Sequence, residues 1–238
     1  MNDRTALVTG ANKGIGKHIA GRLAAEGFTV YVGSRDVGRG QQAVEEIGGD
    51  ARLLVLDVTD THSINRAAAQ VDRLDVLVNN AGISVSLTPP TESGVEEFRR
   101  TYETNVFAVV EVTNAFLPAL RRSPRPRVVN ISSGTGSVTW STNPNPQFTP
   151  GNGGAAAYRS SKAALNALTV FYAQTLAEEG FKVNALAPGL RATSLNPLAA
   201  TAGGDPAGAA RGAVRLALLP DEGPTGAFFS WDGTPVPW

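Results

Sequence analysis

Cysteine is absent from this 238-residue chain, and methionine and histidine are scarce, with one and two copies. Without thiols there is no disulfide staple, no thiolate metal site and no cysteine nucleophile. His18 falls within the first predicted helix and His62 at the start of another, a spacing that forms no ligand cluster, so no metal is expected. Net charge is missing too. The 21 basic residues balance 21 acidic ones without a block of like charge, which leaves nothing to draw the chain to nucleic acid or an anionic membrane. No run of about 18 apolar residues occurs, as a membrane span needs. The amino terminus enters a strand-like run within a few residues, without a charged-then-apolar leader, so a cytoplasmic location is expected.

What is present is an apolar share of 42%, enough for one large core, and a length that open α/β sheets reach as a single domain. Short β-rich runs alternate with stretches of helical period. Strands are predicted at 5–9, 29–32, 53–56, 74–79, 127–132 and 182–187. Helices are predicted at 15–25, 37–47, 62–70, 96–120 with a break near Thr104, and 155–179. Asp205-Pro206 then has the cap and first-turn proline of a helix running to Leu219. Such alternation specifies a Rossmann-type doubly wound parallel sheet, with its ligand site beyond the carboxyl ends of the strands.

Between the first strand and first helix stands Thr9-Gly10-Ala11-Asn12-Lys13-Gly14-Ile15-Gly16. Glycines there let the backbone turn and approach a pyrophosphate, which the free amides and dipole of a helix start favour. The spacing is G-x-x-x-G-x-G rather than the usual G-x-G-x-x-G. Position in the alternating chain therefore carries the nucleotide reading more than the letters do. Where the second strand ends, a carboxylate would favour NAD by bonding ribose hydroxyls and repelling a 2′-phosphate. This strand ends Val32-Gly33-Ser34-Arg35, and the guanidinium of Arg35, helped by Lys13, points to NADP(H) over NAD(H). Asp36 lies near the position of the NAD carboxylate but follows Arg35, where it can instead cap the next helix.

Tyr158 and Lys162 are four residues apart on a predicted helix and share a face. A free phenol titrates near pH 10, so an adjacent ammonium that stabilises phenolate would suit it to proton exchange with a carbonyl oxygen.

In this order the motifs resemble those of the short-chain dehydrogenases and reductases: the glycine turn, Asp57, Asn79-Asn80-Ala81-Gly82, Asn105, Ser133, Tyr158, Lys162 and Pro188-Gly189. The resemblance implies reduction of a ketone, aldehyde or quinone by NADPH, or the reverse oxidation of an alcohol. It implies a tetrad in which Tyr158 is the acid or base, Ser133 bonds the substrate oxygen, Lys162 holds the nicotinamide ribose and Asn105 supports a relay water. Ser132 is the alternative to Ser133. It further implies cofactor contacts at Gly10, Asn12, Lys13, Gly14, Ile15, Gly16, Ser34, Arg35, Asp57, Val58, Asn79, Ala81, Gly82, Ile131, Pro188, Gly189 and Thr193. Asn79 and Asn80 also have a structural reading, because amides at the end of a buried strand must find partners.

Within the family, Asn12 to Gly16, Arg35-Asp36 and the tail from Leu216 through Gly223-Pro224 to Trp238 are similar to the carbonyl reductases. The interval between Ser133 and Tyr158 is long and rich in Pro and Gly, so 134–157 is expected to be an inserted loop walling the substrate, with Trp140 and Phe148 lining it. Residues 190–212 are expected to act as a lid. Monomer, dimer and tetramer stay open. A non-catalytic redox sensor is the rival reading, and the intact Tyr158, Lys162 and Ser133 argue against it.

Overall fold

The computed structural model describes residues 4–143, 153–193, 195 and 204–238. Seven parallel strands form one sheet in the order β3-β2-β1-β4-β5-β6-β7. In chain order the strands are β1 (Thr5–Val8), β2 (Thr29–Ser34), β3 (Ala51–Val55), β4 (Val76–Asn79), β5 (Arg127–Ile131), β6 (Lys182–Ala187) and β7 (Phe228–Ser230). The last was not foreseen, because a three-residue strand between turns is too short to show a period.

Alternation along the strands separates two cores. Ala6, Val8, Val76 and Val78 face one side, and Leu7 and Leu77 the other. The first side is covered by α1 (Gly14–Ala25), α2 (Val37–Ile47) and α8 (Pro206–Ala217), through residues such as Ile19, Leu23, Ala43, Ala210 and Ala213. The second is covered by α3 (Thr61–Ala68), α5 (Ala108–Leu120) and α7 (Ala156–Thr175), through Ile64, Phe116 and Ala173. Helices on both faces explain why the strands read as continuous apolar runs.

Helix starts follow their caps. Asp36 Oδ1 accepts from Arg39 N at 2.9 Å, Asp60 Oδ1 from His62 N at 3.0 Å and Asp205 Oδ1 from Ala207 N at 2.9 Å. The predicted 96–120 helix is in three parts: α4 (Val95–Tyr102), a π-turn at Glu103–Phe107, and α5. Residues 206–212, expected to belong to a lid, are the first half of α8, and Ala209, Ala210 and Ala213 are fully buried against α1. Small residues there permit close helix contact, which a mobile cover does not have. Within 134–157, a 3₁₀ turn (Gly134–Gly136) and a short helix, α6 (Val138–Thr142), replace part of the expected loop. Trp140 packs partly buried against Ala185, Ala187, Phe228 and Val236, whereas Phe148 lies outside the described residues. Among the described residues no helix is long and apolar enough to cross a membrane.

The chain reverses direction across the sheet between β1 and β4, which opens a crevice at their carboxyl ends. A buried amide ladder crosses the sheet just below it. Asn79 Nδ2 donates to Thr113 Oγ1 (3.0 Å) and Asn130 Oδ1 (2.9 Å), and Asn130 Nδ2 donates to Thr169 Oγ1 (2.9 Å). Replacing Asn130 by Ala leaves Asn79 and Thr169 each short of a partner, so unfolding should be easier by about 1–3 kcal/mol. Urea denaturation should show this as a lower midpoint at unchanged slope.

Candidate active site

The crevice is a cleft of about 380 Å³. Its floor is the turn from β1 into α1. Gly10 and Gly14 adopt φ of 63° and 55°, open to glycine at little cost. A Cβ on Gly16 would stand 2.4 Å from Asn80 Nδ2 and 2.8 Å from Gly10 O, so only glycine lets α1 begin this close to the end of β4. Thr9, buried, ties the two strands together. Its Oγ1 accepts from Asn80 N (2.9 Å) and Ala81 N (3.0 Å), while Asn80 Nδ2 donates to Thr9 O (2.8 Å). No side chain caps the start of α1, so its first amides and the positive end of its dipole are left for a ligand. A glycine cradle with uncapped amides fits the pyrophosphate of a dinucleotide.

Gly10, Asn12, Lys13, Gly14, Ile15, Gly16, Ser34, Arg35, Asp57 and Val58 all line this half of the cleft. Asp36 does not: its carboxylate caps α2 and pairs with Arg39 at 3.4 Å. Ser34 Oγ, buried, donates to Asp36 O at 2.8 Å and fixes that corner. Arg35 is exposed, and among the described residues no carboxylate is paired with it or with Lys13. Asp57 Oδ1 accepts from Thr59 N (3.0 Å) and Thr59 Oγ1 (2.8 Å), which holds the turn after β3.

The other half is built on α7. Tyr158 and Lys162 line the cleft together with Ala81, Gly82, Ile131, Pro188 and Thr193. Lys162 is buried and its Nζ donates to Ile131 O at 2.8 Å. Desolvation lowers its pKa to about 8. Tyr158 differs from expectation. Burial pushes its phenol above the ordinary value, opposed only by hydrogen bonding with Ser133. Lys162 Nζ lies 5.8 Å from the centre of the Tyr158 ring and gives one of its donors to the backbone of β5.

Strand alternation separates the two serines. Ser132 points inward, and its Oγ donates to Asn166 Oδ1 at 2.6 Å. Ser133 is half-buried and its Oγ meets Thr135 Oγ1 at 2.9 Å, on the side where it engages Tyr158. Asn105 is fully buried in the π-turn. Its Nδ2 donates to Ile83 O (2.9 Å) and Ser161 Oγ (3.0 Å), and its Oδ1 accepts from Ile83 N (2.8 Å). The extra residue of a π-turn is what carries this side chain off the helix's usual face.

Two expected contacts lie elsewhere. Asn79 does not line the cleft: it faces the interior and belongs to the amide ladder, as the alternation along β4 requires, and Asn80 takes the cleft position. Gly189 also misses the lining. With φ of 71° it turns the chain over Trp231, whose ring a Cβ would meet at 3.0 Å. Ser84, Thr104, Ser161 and the tying role of Thr9 were not anticipated, and Asn80, read only as a strand-end amide, lines the cleft itself. Of these, Thr9 carries a legible signal, since a hydroxyl ending a buried strand needs partners. Residues 194 and 196–203 of the expected lid, and 144–152 of the expected wall, lie outside the described residues.

The sequence matches the family model for short chain dehydrogenases over residues 4–201. It is 39% identical over 202 residues to cyclopentanol dehydrogenase from a Comamonas species, covering 82% of this chain and 76% of that one. Salutaridine reductase from Papaver bracteatum is 32% identical, with 95% and 94% covered. The fold is similar to that of NADPH-bound carbonyl reductase from chicken fatty liver, at a TM-score of 0.87 and 30% identity, with 100% of both chains covered.

The depressed pKa of Lys162 has a consequence for stability. Below about pH 8 the lysine is charged both folded and unfolded, and burial of that charge weakens the fold. Between about 8 and the ordinary value of 10.5 the unfolded chain binds the extra proton, so this group makes stability rise with pH. Denaturant titrations from pH 7 to 10.5 on the wild type and Lys162→Met should show the rise only where the lysine is present, at most about 3 kcal/mol from the linkage of one group.

Proposed function

This chain belongs to the short chain dehydrogenase family, and we propose that it is an NADPH-dependent carbonyl reductase whose proton donor is Tyr158. Enzymes of this kind interconvert carbonyl and alcohol groups with a nicotinamide cofactor, which supplies or takes up the hydride. The observation that carries the reading is the placement of Tyr158 and Lys162 on one face of α7 in the cleft that the glycine turn opens. A neutral hydroxyl beside Ser133 can hand its proton to a carbonyl oxygen as negative charge gathers there.

The remaining roles follow from what each group touches. Ser133 Oγ donates to the same substrate oxygen and lowers the cost of its charge. Lys162, mostly ammonium at neutral pH and fixed to Ile131 O, presents its other donors to the cofactor ribose and to the phenol as it loses its proton. Asn105 bonds Ile83 through both ends of its amide and Ser161 through Nδ2, which ties the segment after β4 to α7. Thr193 and Pro188 close the nicotinamide end.

Preference for NADP(H) rests on charge. Arg35 is exposed at the end of β2, Lys13 stands in the glycine turn, and Asp36 is committed to capping α2. The carbonyl reductase similar in fold has NADPH bound, which supports the same reading. A sensor that binds the nucleotide without chemistry would have no use for the Tyr158, Ser133 and Lys162 arrangement. Ketones, aldehydes and quinones are the proposed substrates.

Following NADPH absorbance with a panel of quinones, aromatic aldehydes and cyclic ketones tests the reaction. Tyr158→Phe should lower turnover of the best substrate by at least about 10²-fold, the scale of a lost general acid. Undiminished turnover would move the proton donor elsewhere. Arg35→Asp should reverse the kcat/KM ratio for NADPH over NADH, and equal ratios before and after would remove the charge argument.

A further inference from the structure

The turn after β6 is held by a side chain that takes no part in proton transfer. Arg191 stands three residues past Pro188 and two before Thr193, both of which line the cleft. Its Nε donates to Pro188 O at 2.6 Å. Its guanidinium lies 4.4 Å from the ring centre of Trp231, in the turn that follows β7. Glycines cut the slot it occupies. A Cβ on Gly204 would be 2.5 Å from Nη1, one on Gly208 3.3 Å from Nη1, and one on Gly189 3.3 Å from Nη2. The backbone closes around the same point, with Gly204 N donating to Leu190 O (3.0 Å) and Ala192 N to Gly204 O (3.1 Å).

This is a poor place for an idle cation. The amino end of α8 presents the positive pole of its dipole there. Desolvation holds the Arg191 pKa below its ordinary value, and Arg211 acts in the same direction against Asp205. A long side chain with no positional task would extend into water. Arg191 stays because a planar guanidinium can stack on an indole while donating to a carbonyl, which an ammonium cannot do as well.

We propose that Arg191 is a positioning residue, a staple that fixes the Pro188–Thr193 turn against β7 and so presets Thr193 and Leu195 at the nucleotide cleft. The inference rests on the reading that this cleft takes a nicotinamide cofactor. Without the staple the turn samples other arrangements, and cofactor affinity falls by the fraction of molecules with the competent one.

Three variants test it. Arg191→Met keeps the aliphatic stem, Arg191→Lys keeps the charge, and Gly204→Ala keeps Arg191 but places a methyl where Nη1 lies. Hydrogen exchange of the Ala192 and Gly204 amides is read in the free protein, and NADPH affinity by fluorescence titration. In Arg191→Met and Gly204→Ala both amides should exchange about tenfold faster and NADPH should bind about tenfold more weakly, with Arg191→Lys between them and the wild type. At saturating NADPH, kcat should stay within about twofold of the wild type, unlike the loss expected for Tyr158→Phe. Unchanged exchange or unchanged NADPH affinity in both Arg191→Met and Gly204→Ala overturns the staple while leaving the cofactor reading intact. A wild type that does not bind NADPH contradicts the cofactor reading and the positioning role together.

Discussion

The hydrogen bond from the Lys162 ammonium to the Ile131 carbonyl is the fixed point of this molecule's chemistry. It buries a charge, which costs free energy, and it joins α7 to the end of β5 at the level where the strand stops. Everything nearby takes its place from that joint. One turn back along α7 stands Tyr158. Two residues on from Ile131 stands Ser133, sent outward by the same alternation that sends Ser132 inward to Asn166. The contact is close enough that a Cβ on Gly136 would lie 2.8 Å from the backbone of Lys162. Asn166 Nδ2 donates to Gly136 O at 3.2 Å, so Ser132 and the turn after Ser133 are both held to α7, while Ser133 Oγ stays within that turn on Thr135.

The nucleotide half is organised on a different principle. There the chain offers backbone rather than side chains: uncapped amides at the head of α1, glycines where a Cβ would collide, and a threonine hydroxyl that locks β1 to β4. A rigid cradle of amides suits a constant ligand, and mobile or variable loops suit a variable one. The two halves meet at Gly82, where a Cβ would stand 3.3 Å from Asn105 Oδ1 and 3.5 Å from Lys162 Nζ.

Much of this could be read in the sequence because it follows from period and punctuation. Continuous apolar strands between amphipathic helices specified the parallel sheet, and the break near Thr104 is the π-turn that carries Asn105. Residues whose task lies in one local motif, such as the glycine turn, Asp36 or the Tyr158–Lys162 pair, were equally plain. Failures arose where the task depends on a distant partner. Asn79 and Asn80 differ only in which way the strand points them, and Asn79 finds its partners on α5 and β5. Residues 206–212 were read both as the start of a helix from Asp205 and as the end of a lid, and the alanines and glycines that pack them against α1 place them with the helix. Lys162 was expected to acidify the phenol. Burial acts on the phenol in the opposite direction, and spacing does not show it.

The acid–base state of Tyr158 is the part of this chemistry most exposed to test. Carbon-13 NMR of the phenol carbon, with tyrosine labelled and Tyr158 assigned by its Phe variant, reports its titration in the free protein directly. The account predicts that this carbon stays at its neutral shift from pH 6 through about 9, below the ordinary phenol value of about 10. A phenolate appearing near neutrality would contradict it.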